Sequence, residues 1–354
     1  MKKVKRGPSP SPILPHDLVT IILSRLPAKS LVRFKRVCKS WRNLFNQPHF
    51  VKMHLSRLSK DRKLAFSCCS RTLQLRRELL VQSGDDLTAK HILPPFTEEP
   101  VSIFGSCNGL LLLQTHLSHT LYLVNITTRE LNKLPFMYTP SMSYGFGYDA
   151  STDDYKVVAI SSRVASLYTM KTNSWRRIQD FPSKAGMSNS QPCLLLNGIL
   201  HWFCCHVWRM ISFDLAEEKF RDIPLPHLQR IESCSNYVDC RGYAVGVLGG
   251  CLCINVTGVD DCRSGTKFWV MKEYGKRESW TKLGIIIPCS FDAKPLNFSN
   301  NDEHLFLVDH KRLLMYNQKE NTYRYPETFN IFGKWFGAET YLESIVSPKY
   351  HNVV

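Results

Sequence analysis

"LYLVNITTRELNKLP" (residues 121–135) reads as a strand, a polar turn and the opening of a second strand. Four further stretches repeat the plan: "LYTMKTNSWRRIQDFP" (167–182), "MISFDLAEEKFRDIPLP" (210–226), "FWVMKEYGKRESWTKLG" (268–284) and "LLMYNQKENTYRYP" (313–326). In each, an apolar strand runs into a polar turn, and an aromatic or apolar residue opens the next strand. Aligning Asn125, Asn173, Asp214, Tyr274 and Asn317 gives spacings of 48, 41, 60 and 43. Several strands per unit at periods of roughly 40–50 residues mark a β-propeller. The widest gap holds "VDDCRSG" (259–265), read as a longer loop. A β-sandwich is the competing all-β answer, but similar residues recur in each copy and favour the propeller.

The neighbouring sequence has the same texture. From about residue 100, short apolar runs such as "GLLLLQ" (109–114), "YKVVAI" (155–160), "GILHWF" (198–203) and "EHLFLVD" (303–309) alternate with turn residues. No long amphipathic helix interrupts them. The six tryptophans of this region, Trp175, Trp202, Trp208, Trp269, Trp280 and Trp335, are expected mostly in blade cores, where large aromatics fill the space between sheets. The chain has 354 residues, 44% hydrophobic and 21% charged, which suits a large folded domain with a small one attached. No run of 18 apolar residues predicts a membrane span.

The charge is uneven. Residues 1–60 hold 14 Lys/Arg and a single acid, Asp17, giving +13. The rest holds 32 Lys/Arg and 29 Asp/Glu, giving +3. A basic module on a nearly neutral body calls for an acidic partner, nucleic acid or protein. Residues 1–13 read as a flexible basic, Pro/Ser-rich tail, and "KKVKR" (Lys2 to Arg6) resembles a short nuclear-import signal. The N-terminus lacks the apolar core of a secretory signal. The 13 cysteines contain no C-x-x-C pair, which fits reduced thiols in a cytoplasmic or nuclear protein. The sequons at Asn125, Asn255 and Asn297 then carry no glycan.

Residues 14–58 read as helical. Pro15 and Asp17 suit a first helical turn. Leu18, Ile21, Ile22 and Leu26 follow at helical spacing, and Pro27 ends that helix. A second stripe, Leu31, Phe34, Cys38, Trp41 and Phe45, is spaced 3, 4, 3 and 4; periodicity alone allows one helix or two. Gln47-Pro48 marks a further turn. A unit of this size buries too little surface to be very stable alone, so its stripes are expected to meet something else.

The wording of this unit closely resembles the F-box of plant F-box proteins: L-P, acid-L, I-L-x-R-L-P, K-S-L-x-R-F, then C-K-S-W. The matching residues run from Leu14 and Pro15 through Asp17, Leu18, Ile22, Leu23, Arg25, Leu26 and Pro27 to Cys38, Lys39, Ser40, Trp41 and Phe50. "GSCNGLLLL" (105–113), "YGFGYDASTDDYKVV" (144–158), the W-R-x-I at Trp175 and "LNGILHWF" (196–203) resemble the recurrent blocks of the plant F-box-associated, kelch-like domain. Pollen S-locus F-box proteins share the layout. The resemblance implies an all-α F-box module over 14–58, linker and first strands over 59–99, a propeller-like domain over 100–345 and a tail over 346–354.

It further implies a non-catalytic receptor in a Skp–cullin–F-box (SCF) ubiquitin ligase. The F-box would dock on an acidic Skp-type adaptor, and through it a cullin scaffold, while the β domain holds an unidentified target. No cofactor, metal or membrane partner is implied. By matching positions the adaptor contacts are Leu14, Pro15, Leu18, Ile22, Leu26, Leu31 and Val32. Phe34, Val37, Cys38 and Trp41 serve as contacts or as the module's own core. A nucleic-acid-binding or scaffolding role for the basic helices is the first alternative, but a stripe of Leu, Phe and Trp suits a protein groove better than base edges. A propeller enzyme is the second.

Several motifs look chemical and have plainer readings. "GFGYDA" (145–150) matches a dinucleotide-binding fingerprint, but a turn and strand follow where a helix is needed. Two glycines in a strand or bulge explain it. "GSCNG" (105–109) matches a nucleophile elbow around Cys107, yet a strand again follows, and Asn108-Gly109 is a good tight-turn pair. His201 and His206 would point to opposite faces of a strand, as would Cys204 and Cys205, so a metal site is not expected. Asp153–Asp154 and Asp260–Asp261 read as turn residues.

Overall fold

The run Leu110 to Leu113 shows how the strands are covered. All four side chains are fully buried. Leu110 and Leu112 join an apolar cluster with Tyr144 and Phe146, whereas Leu111 and Leu113 join another with Ala65 and Tyr341. Successive side chains of a strand point opposite ways, so a strand covered on both faces reads as an unbroken apolar run. Val157 and Val158 divide between two clusters in the same manner.

The computed structural model describes residues 15–58, 62–69, 79–81, 90–92, 99, 101–137, 142–182, 193–204, 207–227, 243–257, 266–287, 293–300, 303–310, 312–325 and 335–349. Helices α1 (His16–Leu23), α2 (Ala28–Phe34), α3 (Lys39–Asn46) and α4 (Pro48–Arg57) come first. Blade 1 takes its three outer strands from β1 (Lys63–Cys69), β2 (Leu79–Val81) and β3 (Lys90–Ile92). Blade 2 is β4 (Val101–Cys107), β5 (Leu110–Thr115), β6 (Leu121–Asn125) and β7 (Glu130–Lys133). Blade 3 is β8 (Met142–Asp149), β9 (Asp154–Ser161), β10 (Val164–Thr169) and β11 (Ser174–Arg177). Blade 4 is β12 (Leu194–Leu196), β13 (Ile199–Cys204), β14 (Arg209–Asp214) and β15 (Lys219–Ile223). Blade 5 is β16 (Tyr243–Leu248), β17 (Cys251–Thr257), β18 (Thr266–Met271) and β19 (Trp280–Ile287). Blade 6 is β20 (Ala293–Asn300), β21 (Glu303–Val308), β22 (Arg312–Asn317) and β23 (Thr322–Arg324). The last strand, β24 (Trp335–Tyr341), returns to complete blade 1 by pairing antiparallel with β1, from Lys63 opposite Tyr341 to Cys69 opposite Trp335.

Among the described residues the β body is therefore six four-stranded antiparallel sheets. Their innermost strands, β4, β8, β12, β16, β20 and β24, follow one another round a closed ring. Six apolar clusters each lie between two neighbouring blades, and a seventh lies in the helical module. This is a β-propeller. Closing the ring with the C-terminal strand removes a free sheet edge and ties the two ends of the domain together.

Glycines let the inner strands approach. A Cβ on Gly145 would sit 2.7 Å from the Trp202 ring, and one on Gly246 would sit 2.8 Å from Pro295. Thus "GFGYDA" is an inner strand squeezed against the next blade, with no helix after it. Indole groups lace blades from outside: Trp175 donates to the Pro135 carbonyl at 2.9 Å and Trp280 to Pro224 at 2.8 Å, each from one blade to the one before. Trp202 is a fully buried core residue, whereas Trp208 and Trp269 are half-buried. The side chain of Trp335 lies outside the described residues. A buried Lys156 joins blades 3 and 4, donating to Asp149 at 2.8 Å, Glu218 at 2.9 Å and the Leu215 carbonyl at 2.8 Å.

The repeat alignment needs correction in two copies. Asn125, Asp214 and Asn317 do share a role: each closes the third strand of its blade and its Oδ1 accepts two backbone N–H groups of the following turn. Asn173 instead holds the left-handed position of that turn, φ 49°, with Arg129, Glu218 and Asn321. The true equivalent of Asn125 there is Thr169. In the fifth blade the left-handed residue is Gly275, which makes Met271 the equivalent rather than Tyr274.

Asp154 is likewise no turn residue: it opens β9, buried, and its carboxylate accepts the Lys171 N–H at 3.1 Å. Asp260, Asp261, Cys205 and His206 lie outside the described residues. Of the segment expected as a tail, residues 346–349 are described, and Val346 among them is packed. Val346 is buried in the cluster between blades 2 and 3, and Asn125 donates to the carbonyls of Ser344 and Val346. No described helix is long and apolar enough to cross a membrane.

Candidate functional site

Helix α1 carries apolar side chains on more of its circumference than its own module can cover. Pro15 caps it without an N–H to leave unpaired, and Asp17 meets the positive end of the helix dipole. Val19 and Leu23 face the module's core. Leu18, Ile21 and Ile22 do not: they are 47%, 38% and 52% exposed. Covering a large apolar side chain contributes roughly 1.5–3 kcal/mol, so leaving three open on one helix is a cost that a partner surface would recover.

The second apolar stripe is two helices rather than one. α2 ends at Phe34 and α3 begins at Lys39, where the Cys38 Sγ accepts the Trp41 N–H at 3.4 Å. Leu31, Phe45 and Phe50 are fully buried. Leu31 therefore packs within the module's own core. Leu26, Val32, Phe34 and Trp41 are half-buried against the same core; Trp41 lies 5.5 Å from Phe34 and 6.4 Å from Phe45 between ring centroids. Val37 is 63% exposed and Cys38 is exposed. Leu14 lies outside the described residues. The fold thus divides the expected contacts into an open set (Pro15, Leu18, Ile22 and Val37), a half-covered set and one enclosed residue. Ile21 joins the open set; its helical spacing from Leu18 was the signal for it.

The basic residues also divide. Lys29 pairs with Glu343 at 2.6 Å, and Lys52 pairs with Asp153 at 2.7 Å, so both are spent on the propeller. Arg33, Arg36 and Lys39 are exposed and make no ion pair among the described residues. Ile345 enters the helical core, and Val51 and Leu55 of α4 pack on the cluster that holds Val346. The C-terminal segment is thereby the seat of the helices. His54 is buried, with Nε2 3.0 Å from the Leu26 carbonyl, and burial lowers its pKa.

The described residues of the motifs that looked chemical are engaged in the fold. Cys107 is half-buried on the wall of the central cavity, and burial pushes its thiol up to about 12. Asn108 and Gly109 form the tight turn after it, with φ of 51° and 87°. His201 spends one nitrogen on the Tyr274 hydroxyl at 2.7 Å. Among the described residues no cluster of His, Cys, Asp and Glu is arranged to hold a metal ion.

Residues 65–351 match the family described as F-box associated beta propeller domain, and residues 12–53 match the F-box domain. An F-box/kelch-repeat protein of Arabidopsis thaliana is 30% identical over 370 residues, covering 95% of this chain and 96% of its own. The F-box protein CPR1 of the same organism is 30% identical over 76% of this chain and 72% of its own. A further Arabidopsis thaliana F-box protein is 27% identical over 94% of this chain and 97% of its own.

Proposed function

We propose that this chain, which belongs to the F-box proteins carrying an F-box associated β-propeller, is the target-recognition subunit of an SCF ubiquitin ligase. The helical module docks on a Skp-type adaptor, the propeller holds a target protein, and the chain performs no chemistry itself. The observation that carries this reading is the open apolar face of α1, Leu18, Ile21 and Ile22, on a module whose other face is already committed to its own core and the propeller. Arg33, Arg36 and Lys39 remain free to meet an acidic adaptor and speed encounter, each contributing little to affinity.

What the helices occupy supports a place for the target on the opposite face. They sit with the C-terminal segment over the Asn108-Gly109 turn and the Asn125 end of β6. The turns joining second to third strands lie at the other end of the blades. There Leu117 is 74% exposed, and that far face is the one this reading assigns to the target.

The test is co-purification with the adaptor. Pro15→Ala with Leu18→Ala is expected to abolish adaptor capture while the thermal transition of the chain stays within a few degrees of wild type. Ile21→Asp alone is expected to weaken capture at least tenfold, since it places a charge in an apolar groove. Undiminished capture by the double variant would sink the assignment.

A further inference from the structure

We propose that the axial channel of the propeller binds a small organic carboxylate, a single negative charge on an apolar body, anchored by Arg62. The inner strands enclose a cavity of about 370 Å³, within the range of small-molecule sites. An innermost strand has a sheet neighbour on one side only, so its other edge turns backbone N–H and C=O groups toward the channel. Part of the wall is apolar, with Phe104, Phe146, Leu195 and Val247 among its residues, and at least as much is polar, Ser106 and Asn108 included.

Three charged side chains line the same cavity: Arg62, Lys294 and Glu339. Lys294 and Glu339 form a long pair, 3.4 Å apart. Arg62 is half-buried and makes no hydrogen bond or ion pair among the described residues. Burial lowers its pKa while Glu339 raises it, and a guanidinium stays charged at neutral pH. Two cations against one carboxylate leave one positive charge unanswered. A carboxylate answers it and accepts the planar fork of a guanidinium with both oxygens. A phosphate brings nearly two charges and would leave one without a counter-charge among the side chains of the channel. A neutral ligand would leave Arg62 as it is. The position also has a consequence for the ring. Arg62 precedes β1, and Glu339 lies on β24, the strand that pairs with it. An anion held between them would brace the seam that closes the propeller.

The experiment uses the full chain and titrates it with benzoate and hexanoate, with benzamide and inorganic phosphate alongside, by calorimetry and thermal unfolding. At least one carboxylate is expected to bind with a dissociation constant near 1 mM or tighter. At about 10 mM it would then raise the folded-to-unfolded ratio roughly tenfold and lift Tm. Arg62→Gln is expected to lose about tenfold or more in affinity, as removal of a charged hydrogen-bonding partner does. Glu339→Gln removes the competing internal carboxylate and is expected to tighten binding several-fold, a gain that a merely structural role would not give. Failure of both carboxylates to bind, or equal binding by benzamide, phosphate or the Arg62→Gln chain, overturns the proposal. Adaptor capture by Arg62→Gln is expected to equal wild type, so the ligase reading stands or falls separately.

Discussion

His201 reads in sequence as half of a histidine pair flanking "WFCC", and structure gives it a different task. It is fully buried in β13, with Nε2 2.7 Å from the Tyr274 hydroxyl, and burial pushes its pKa down to about 4. In the unfolded chain an imidazole titrates near 6.5. Between those values the unfolded state binds the proton and the folded state resists it. Its contribution to stability is complete above about pH 6.5 and falls away as pH drops toward 4, by roughly 3 kcal/mol in all. His201→Gln is expected to reduce the drop in urea midpoint between pH 7 and pH 4.5. A wild-type drop in that variant would place the acid sensitivity elsewhere, His54 being the next buried imidazole. The same limit on reading single residues separates Leu18 from Leu31. Both fall on apolar stripes at helical spacing. The spacing places each on an apolar face, but does not say whether that face packs into the module's own core, as Leu31 does, or stays open, as Leu18 does.

Two Asn-Gly turns show what local sequence specifies and what it leaves to distant parts. Asn108-Gly109 and Asn197-Gly198 both join a first strand to a second with both residues at positive φ, as that dipeptide favours. A Cβ on Gly198 would meet nothing within 4 Å. One on Gly109 would lie 2.6 Å from the Leu342 carbonyl and on top of the Ser344 hydroxyl. Gly198→Ala is expected to cost about 1 kcal/mol, the strain of a left-handed alanine. Gly109→Ala adds overpacking against the C-terminal segment and is expected to cost about 2–4 kcal/mol in urea unfolding. Equal costs would mean that Ser344 yields freely. The turn itself was legible from two residues. Ser344 above it was not, because the contact spans nearly the whole chain. The misaligned copy at Asn173 has a local cause. Asparagine suits both the side-chain acceptor at a strand end and the left-handed turn position four residues on, so a matching letter did not fix the register.

Strand content, repeat and helical module were all readable, because each rests on short-range pattern. Ring closure was not: nothing in "WFGAETY" (335–341) says that it pairs with "KLAFSCC" (63–69) rather than opening another blade. That closure places residues 342–349 beneath the propeller, where one segment serves two cores. Ile345, 2% exposed, belongs with Leu31, Phe45 and Phe50 in the helices, and Val346, 4% exposed, belongs with Leu110 and Tyr144 between blades 2 and 3. A module of four short helices has too little core to persist alone, so Ile345 is a large share of what holds it. Ile345→Ala is expected to remove about 2–5 kcal/mol from that cluster. If the helices open as a unit distinct from the ring, amide exchange in α2 to α4 speeds up while the inner strands of blades 4 and 5 keep their protection. Val346→Ala should do the reverse, loosening β5 and β9 more than the helices. Equal loss of protection across helices and blades in both variants would show a single cooperative body. Helix α1 would then be fixed rigidly to the propeller rather than carried on a module able to part from it.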